Sequence, residues 1–355
     1  MMQIDLLGTA ISLLTLFGLY ALMALSLNLE YGIAGVPNFG QALFVSVGAY
    51  TAGVTYTRLL PLLAGQAYID PCGGSTLAQA LALRSQIMKT MPLIGLTNFL
   101  ITLALALLIG GMVGYLASYP ALRLKEEWFL GLVLLVASEI VRIVVRGYPP
   151  LICGSNGLAG LAQPFHWVAD KRLAGLLFAG LILLCVALVY WLYERMVRSP
   201  FGRLLKALRE NDQVAAGLGK NVARTRGQVM FVGSAIAALA GAFFVVNTGY
   251  ASANDYGVGL TLDVWVMVVL GGLGNQRGAL LGALIITVLD RLTAVAAIQL
   301  NMLGLDWEFN YVRYMLFGAI LLIMLRYRPQ GLLPEPARTT VAHRLLAEKA
   351  SQTPD

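Results

Sequence analysis

Charged and catalytic side chains are what this chain has least of. Only 12% of its 355 residues are Asp, Glu, Lys or Arg, and its two histidines, His166 and His343, have no ligand set around them. Three cysteines, Cys72, Cys153 and Cys185, show no metal-ligand spacing. There is no nucleophile elbow, and no pair of carboxylates lies within an apolar run. A Walker A loop needs Gly-x-x-x-x-Gly-Lys-Ser/Thr, but here Gly219-Lys220 is followed by Asn221 and position 214 is Val. Nor is Gly272-x-Gly274 a dinucleotide fingerprint, since no βαβ unit surrounds it. A non-enzymatic chain with no metal, cofactor or nucleotide of its own is expected. The beginning also lacks a basic signal-peptide segment, and its first apolar run is too long for a cleaved one. It is expected to remain as an uncleaved first span.

Apolar residues are abundant instead, at 58% of the chain, and the mean hydropathy is +0.75. Such values belong to polytopic membrane proteins rather than soluble domains. Runs that can cross a bilayer, roughly 17–25 residues each, cover Leu6 to Leu29, Asn38 to Leu60, Leu93 to Tyr119, Trp128 to Val145, Leu173 to Tyr193 and Gln228 to Asn247. Shorter or less regular ones cover Leu262 to Leu273, Ala279 to Leu300 and Val312 to Leu325. An all-α polytopic fold of about 8–10 transmembrane helices follows, with some broken or re-entrant; Leu262 to Leu273 is short enough to be re-entrant. The membrane region is placed at 1–335, with outer loops at 61–92 and 146–172 and a polar tail at 336–355.

Basic residues concentrate in one place. Glu194 to Gly227 holds Arg195, Arg198, Arg203, Lys206, Arg209, Lys220, Arg224 and Arg226. The positive-inside bias puts that loop in the cytoplasm, which makes the N-terminus external and the C-terminal tail cytoplasmic. Arg123, Lys125, Arg326, Arg328, Arg338, Arg344 and Lys349 agree. The net charge of +7 is therefore no nucleic-acid footprint, because the excess sits in the loop and tail without an aromatic-interleaved stripe. Phe201, Leu204, Leu205 and Leu208 give the loop a small amphipathic helix, the kind of element a soluble partner receives.

Glycine and proline interrupt the spans. Gly32, Gly35, Pro37 and Gly40, interleaved with Asn38 and Gln41, break the join between the first two runs. Irregular backbone at membrane depth is tolerated only when buried in protein or lining a cavity, and broken helices build transport sites. Gly233, Ala237 and Gly241, and Gly278 with Gly282, have the spacing of close helix packing. Among ionisable residues in the runs, Glu139 and Arg142 share a helical face and can pair; a structural ion pair and a pathway role stay open. Asp290 and Arg291 point in different directions, and Asp290 is expected to mark the end of a short helix. Asn38, Gln41 and Asn156, together with Glu139 and Arg142, are the pathway candidates.

Five segments in order resemble the permease subunits of branched-chain amino-acid ABC importers, of the LivM type. They are Leu25 to Tyr50, ending in Gly-Ala-Tyr; Ser138 to Arg142 followed by Gly154-Ser155-Asn156-Gly157-Leu158; Ser199 to Gly219; Val268 to Gly278; and Arg328-Pro329-Gln330-Gly331-Leu332. The resemblance spans nearly the whole chain and implies a type II-like ABC importer fold working by ATP-driven alternating access in the plasma (inner) membrane. It implies a second homologous permease, two cytoplasmic ABC ATPases that carry ATP and Mg, and an extracytoplasmic substrate-binding protein, with membrane lipid around them. Gly202, Arg203, Arg209, Ala215, Ala216, Leu218 and Gly219 would form the ATPase-coupling element within the cytoplasmic loop 194–227. Urea, short amides or a sugar are alternative cargoes, and a stand-alone secondary transporter or channel is the alternative of another class. The chain departs from the family at Asn38-Phe39-Gly40-Gln41, where Ser-Leu-Gly-His is frequent, and at Ile152-Cys153-Gly154, where Thr-Gly-Gly is usual. Cys72 and Cys153 both face outward in this topology, so they are either a disulfide or two free thiols; spacing cannot supply the geometry a bond requires.

Overall fold

The structure, a computed structural model, describes residues 6–119, 127–302 and 309–335. The expected tail at 336–355 and the cations Arg123 and Lys125 lie outside the described residues. The principal helices are α1 (Leu6–Leu27), α2 (Gln41–Val54), α3 (Leu77–Thr90), α4 (Pro92–Ala117), α5 (Glu127–Gly147), α6 (Lys171–Arg198), α7 (Pro200–Glu210), α8 (Asp212–Gly217), α9 (Val222–Thr248), α10 (Val258–Gly271), α11 (Gln276–Met302) and α12 (Phe309–Tyr327), and all but α3, α7 and α8 form from the apolar runs. Strands β1 (Leu158–Ala159) and β2 (Tyr250–Ala251) form one short antiparallel pair. The chain is an all-α polytopic membrane protein.

Seven helices among the described residues are long and apolar enough to cross a membrane. With α2 and the shorter apolar part of α12 they account for every apolar run in the sequence. The run at 262–273 is the C-terminal part of α10, which starts four residues earlier than expected and follows directly on a 3-10 turn at Ala253–Asp255. Asp290 lies inside the long α11 rather than at a helix end, because no glycine or proline interrupts the apolar periodicity there.

Helix α9 is the core, with 83% of its apolar window buried. Its sequence explains this. Gly233, Ser234, Ala235, Ala237, Ala238, Ala240, Gly241 and Ala242 present almost no side-chain bulk, so neighbouring backbones approach closely. A Cβ on Gly48 of α2 would overlap the Ala238 carbonyl, and one on Gly241 would overlap the Val45 carbonyl. Gly110 and Gly114 of α4 close onto Ala238 and Ser234 in the same way. The expected packing of Gly278 and Gly282 is also present: both lie against the backbone of α10, at Gly271 and Met267. Phe99, Phe178 and Phe243 fill the space between α4, α6 and α9 with ring centroids 5.7–6.5 Å apart.

The bundle has two distinct ends. At one, β1 pairs with β2, and Cys72 and Cys153 are joined with their Cα atoms 5.0 Å apart. Cys153 is the non-glycine residue with positive φ (60°) among the described residues. The segment expected as a plain outer loop at 61–92 contains the full helix α3, whose low apolar content hides it from a search for spans. The opposite end carries α7 and α8.

Candidate functional site

The break between α1 and α2 gathers several buried polar side chains, Asn28, Glu30, Asn38 and Gln41. After Leu27 the helix widens into a π turn, Asn28–Ile33, a form associated with functional sites, and regular helix resumes only at Gln41. Glu30, Asn38 and Gln41 are all fully buried. Asn38 Nδ2 donates to Glu30 Oε2 at 2.6 Å and to Gln41 Oε1 at 3.3 Å. Ser234 Oγ of α9 donates to Glu30 Oε1 at 3.3 Å. Gln41 Nε2 donates to Ser26 Oγ at 2.9 Å, and Ser26 Oγ donates to the Gly233 carbonyl at 2.7 Å. The opening amides of α2 need acceptors: Gly40 N uses Asn38 Oδ1 at 2.9 Å and Ala42 N uses Thr261 Oγ1 of α10 at 3.0 Å. Asn38 and Gln41 therefore hold the break together, and in this conformation they do not line an open path.

An aromatic wall flanks the break. Phe39 stacks on Trp265 at a centroid distance of 4.4 Å, Tyr31 packs against Trp265 at 4.7 Å, and Trp128 lies 6.2 Å from Phe39. Trp265 Nε1 donates to the Asn38 carbonyl at 3.0 Å, so the wall and the break are one unit. The other pathway candidates are elsewhere. Arg142 and Glu139 form an ion pair on α5 at 2.7 Å, each about a quarter exposed, beside Gly257 at the start of α10. Asn156 is exposed at the disulfide-bearing end, where its carbonyl accepts from Tyr250 Oη at 2.6 Å.

The basic loop folds as two helices. Ser199 caps α7 through Gly202 N, with Pro200 in its first turn, and Asn211 caps α8 through Val214 N at 3.0 Å. Gly219, at φ +75°, ends α8, and Lys220 N returns to the Ala215 carbonyl, a glycine C-cap. Leu205 and Leu208 are buried, as the amphipathic pattern predicts.

The expected coupling residues divide by direction. Arg203, Ala216, Leu218 and Gly219 are exposed; Ala216, Leu218 (75% exposed) and Gly219 make a small apolar knob with Val214 (59%). Gly202 and Ala215 are buried; a Cβ on Gly202 would overlap the Val197 carbonyl. Arg209 also turns inward: its guanidinium donates to the Gly32 carbonyl at the break and to Glu335 Oε2 at 2.7 Å. Sequence reasoning missed Glu30 and Glu335. A single acid at the end of an apolar run looks interfacial, although Asn28 and Gly32 beside Glu30 were a usable signal. Glu335, 126 residues from Arg209, offered none.

The family model described as "Branched-chain amino acid transport system / permease component" matches residues 9–325. The chain is 36% identical to "Probable branched-chain amino acid transport permease protein LivM" of Methanocaldococcus jannaschii, over 94% of this chain and 95% of that one. It is 26% identical to "High-affinity branched-chain amino acid transport system permease protein LivM" of Escherichia coli K12, over 91% of this chain and 70% of that protein. The corresponding LivH protein of E. coli K12 is 23% identical over 91% of this chain and 93% of its own. No solved structure matches. This multi-pass helical chain, with its broken, polar-bridged first helix pair and its paired-helix basic loop, belongs to the family of branched-chain amino acid transport system permease components.

Proposed function

We propose that this chain is the membrane permease subunit of an ABC importer for branched-chain amino acids. The end bearing α7 and α8 faces the cytoplasm, the C-terminus lies on the same side, and the N-terminus lies outside. The positive-inside bias of the loop at 194–227 supports that orientation. Two permease subunits, two ATPases and an extracytoplasmic binding protein would complete the importer, and the ATPases would bind the ATP and Mg.

The observation that carries the proposal is the knob of Val214, Ala216, Leu218 and Gly219, exposed and apolar at the tip of a basic loop. Small side chains allow close approach, and the surrounding cations suit an acidic rim on a partner. Relatives in both permease classes, LivM and LivH, carry branched-chain amino-acid names, which supports the cargo and a pair of unlike permeases.

The test is purification of the solubilised subunit from its native membrane with ATPase activity assayed in the eluate. An ATPase should co-elute with the unaltered chain and be lost with Leu218→Glu or Gly219→Trp. Uptake of labelled leucine, urea and a sugar by vesicles then assigns the cargo. A lone protein that transports without ATP overturns the proposal in favour of a secondary transporter.

A further inference from the structure

Three pieces of chain distant in sequence meet at one carboxylate. Glu335 Oε1 accepts from Lys206 Nζ, and Oε2 accepts from Arg209 Nη2 at 2.7 Å. Arg209 Nη1 donates in turn to the carbonyl of Gly32, in the π turn that opens the break. A Cβ on Gly32 would overlap Asn28 Oδ1 and crowd Gly274 N. Asn28 is engaged on both sides, accepting from Gly274 N at 2.9 Å and donating to Tyr193 Oη of α6 at 2.9 Å.

The segment that carries Glu335 is itself fastened to the end of α10. Leu332 N donates to the Leu270 carbonyl at 3.0 Å and Leu333 N to the Gly271 carbonyl at 2.9 Å. Asn275 Nδ2 donates to the Pro334 carbonyl at 3.0 Å. Gly331, at φ +84°, lets this segment lie directly on Gly272. Lys206 and Arg209 project from α7, and α7 bears the exposed knob of α8.

We propose that Glu335, Lys206 and Arg209 form a transmission clamp, in which Arg209 is a positioning residue that ties α7 to the broken end of α1 and, through Glu335, to the turn between α10 and α11. The proposal rests on the coupling role given above to α7 and α8. Displacement of α7 by a docked ATPase then moves the α1 break and the α10–α11 turn together. With the clamp open, α7 moves alone and hydrolysis is no longer converted into reorganisation of the break. Arg209 acts inside the permease, and the exposed knob makes the docking contact.

The clamp is tested on the complex purified from native membrane and reconstituted in vesicles, by measuring substrate moved per ATP hydrolysed. Glu335→Gln should keep the ATPase bound and hydrolysing while that ratio falls at least about fivefold, the lower bound of typical coupling between sites. Arg209→Gln combined with Glu335→Gln should lower the ratio no further than Glu335→Gln alone, because the two residues act through one contact, whereas two independent fold defects would add. An unchanged ratio in Glu335→Gln overturns the clamp while the docking role stands if Leu218→Glu still releases the ATPase. Single losses that multiply in the double variant, or an ATPase lost from the membrane in Glu335→Gln, also overturn it. An unaltered chain that brings down no ATPase overturns the docking role and the clamp together.

Discussion

Asn38 reaches across the gap in the first helix pair to place its amide 2.6 Å from the carboxylate of Glu30. Both residues are fully buried, and Ser234 of α9 approaches the other carboxylate oxygen. Removing the acid leaves two buried donors without that acceptor, at roughly 1–3 kcal/mol each. Glu30→Ala is therefore expected to lower stability by about 2–6 kcal/mol, and Glu30→Gln, which keeps a carbonyl acceptor, by less. Thermal unfolding of the purified protein in detergent separates the two; equal midpoints would show that the network contributes little.

The crossing of α2 and α9 sets a second expectation. Any side chain on Gly48 or Gly241 collides with a backbone carbonyl rather than with a movable group. Overpacking costs about 1–3 kcal/mol where side chains can adjust, and here two backbones must separate. Gly48→Ala should fall at or above the top of that range, whereas Gly180→Ala, with open space around it, should be neutral. The monodisperse fraction after heating reports the difference.

Cys153 holds a left-handed conformation at φ 60°, which costs a non-glycine residue roughly 1–2 kcal/mol. Its bond to Cys72 closes a sequence separation of 81 residues. A free chain would gain about 4–5 kcal/mol from such a closure, but membrane-inserted spans already restrict the unfolded state, so the gain should be smaller. Reduction is expected to lower the unfolding temperature. Cys153→Gly should lose about 1 kcal/mol less than Cys153→Ser, because glycine relieves the backbone strain. Non-reducing mass spectrometry with both thiols open to alkylation would remove the basis for this expectation.

Burial would raise the Glu335 carboxyl, but hydrogen bonds from Lys206 and Arg209 outweigh it and hold the group below the usual carboxylate range. The folded value thus lies below the unfolded one. The stabilisation is fully present above the unfolded value and is lost as pH falls through the folded value. The difference in unfolding temperature between the unaltered chain and Glu335→Gln should be constant from about pH 8 to pH 5 and shrink only in stronger acid. A difference that shrank near neutrality would contradict the sign of the shift.

The sequence revealed what periodicity and punctuation encode. The apolar runs, the break marked by Gly32, Pro37 and Gly40, and the buried face of α7 at Leu205 and Leu208 were all legible, because each follows from local chain chemistry. Helix α3 was not, since Leu77–Thr90 mixes polar and apolar residues without a span-length run. The direction of Arg209 was not legible either: a cation in a basic loop looks solvated until its partner is brought in from the far end of the chain. Asn38 and Gln41 stand out in the sequence as polar residues among glycines, and in the fold their polarity meets other buried polarity.

The bond from Ser26 to the Gly233 carbonyl spans 207 residues, and that separation has a consequence in time. At roughly 5–20 residues per second of synthesis, the first helices wait about 10–40 s in the membrane before α9 emerges. Throughout that interval Ser26, Glu30 and Gly48 face lipid or the insertion machinery instead of their final neighbours. The early half of the chain is thus a substrate for whatever escorts unfinished membrane proteins, and slowing translation after α2 should increase its degradation more than slowing it after α9.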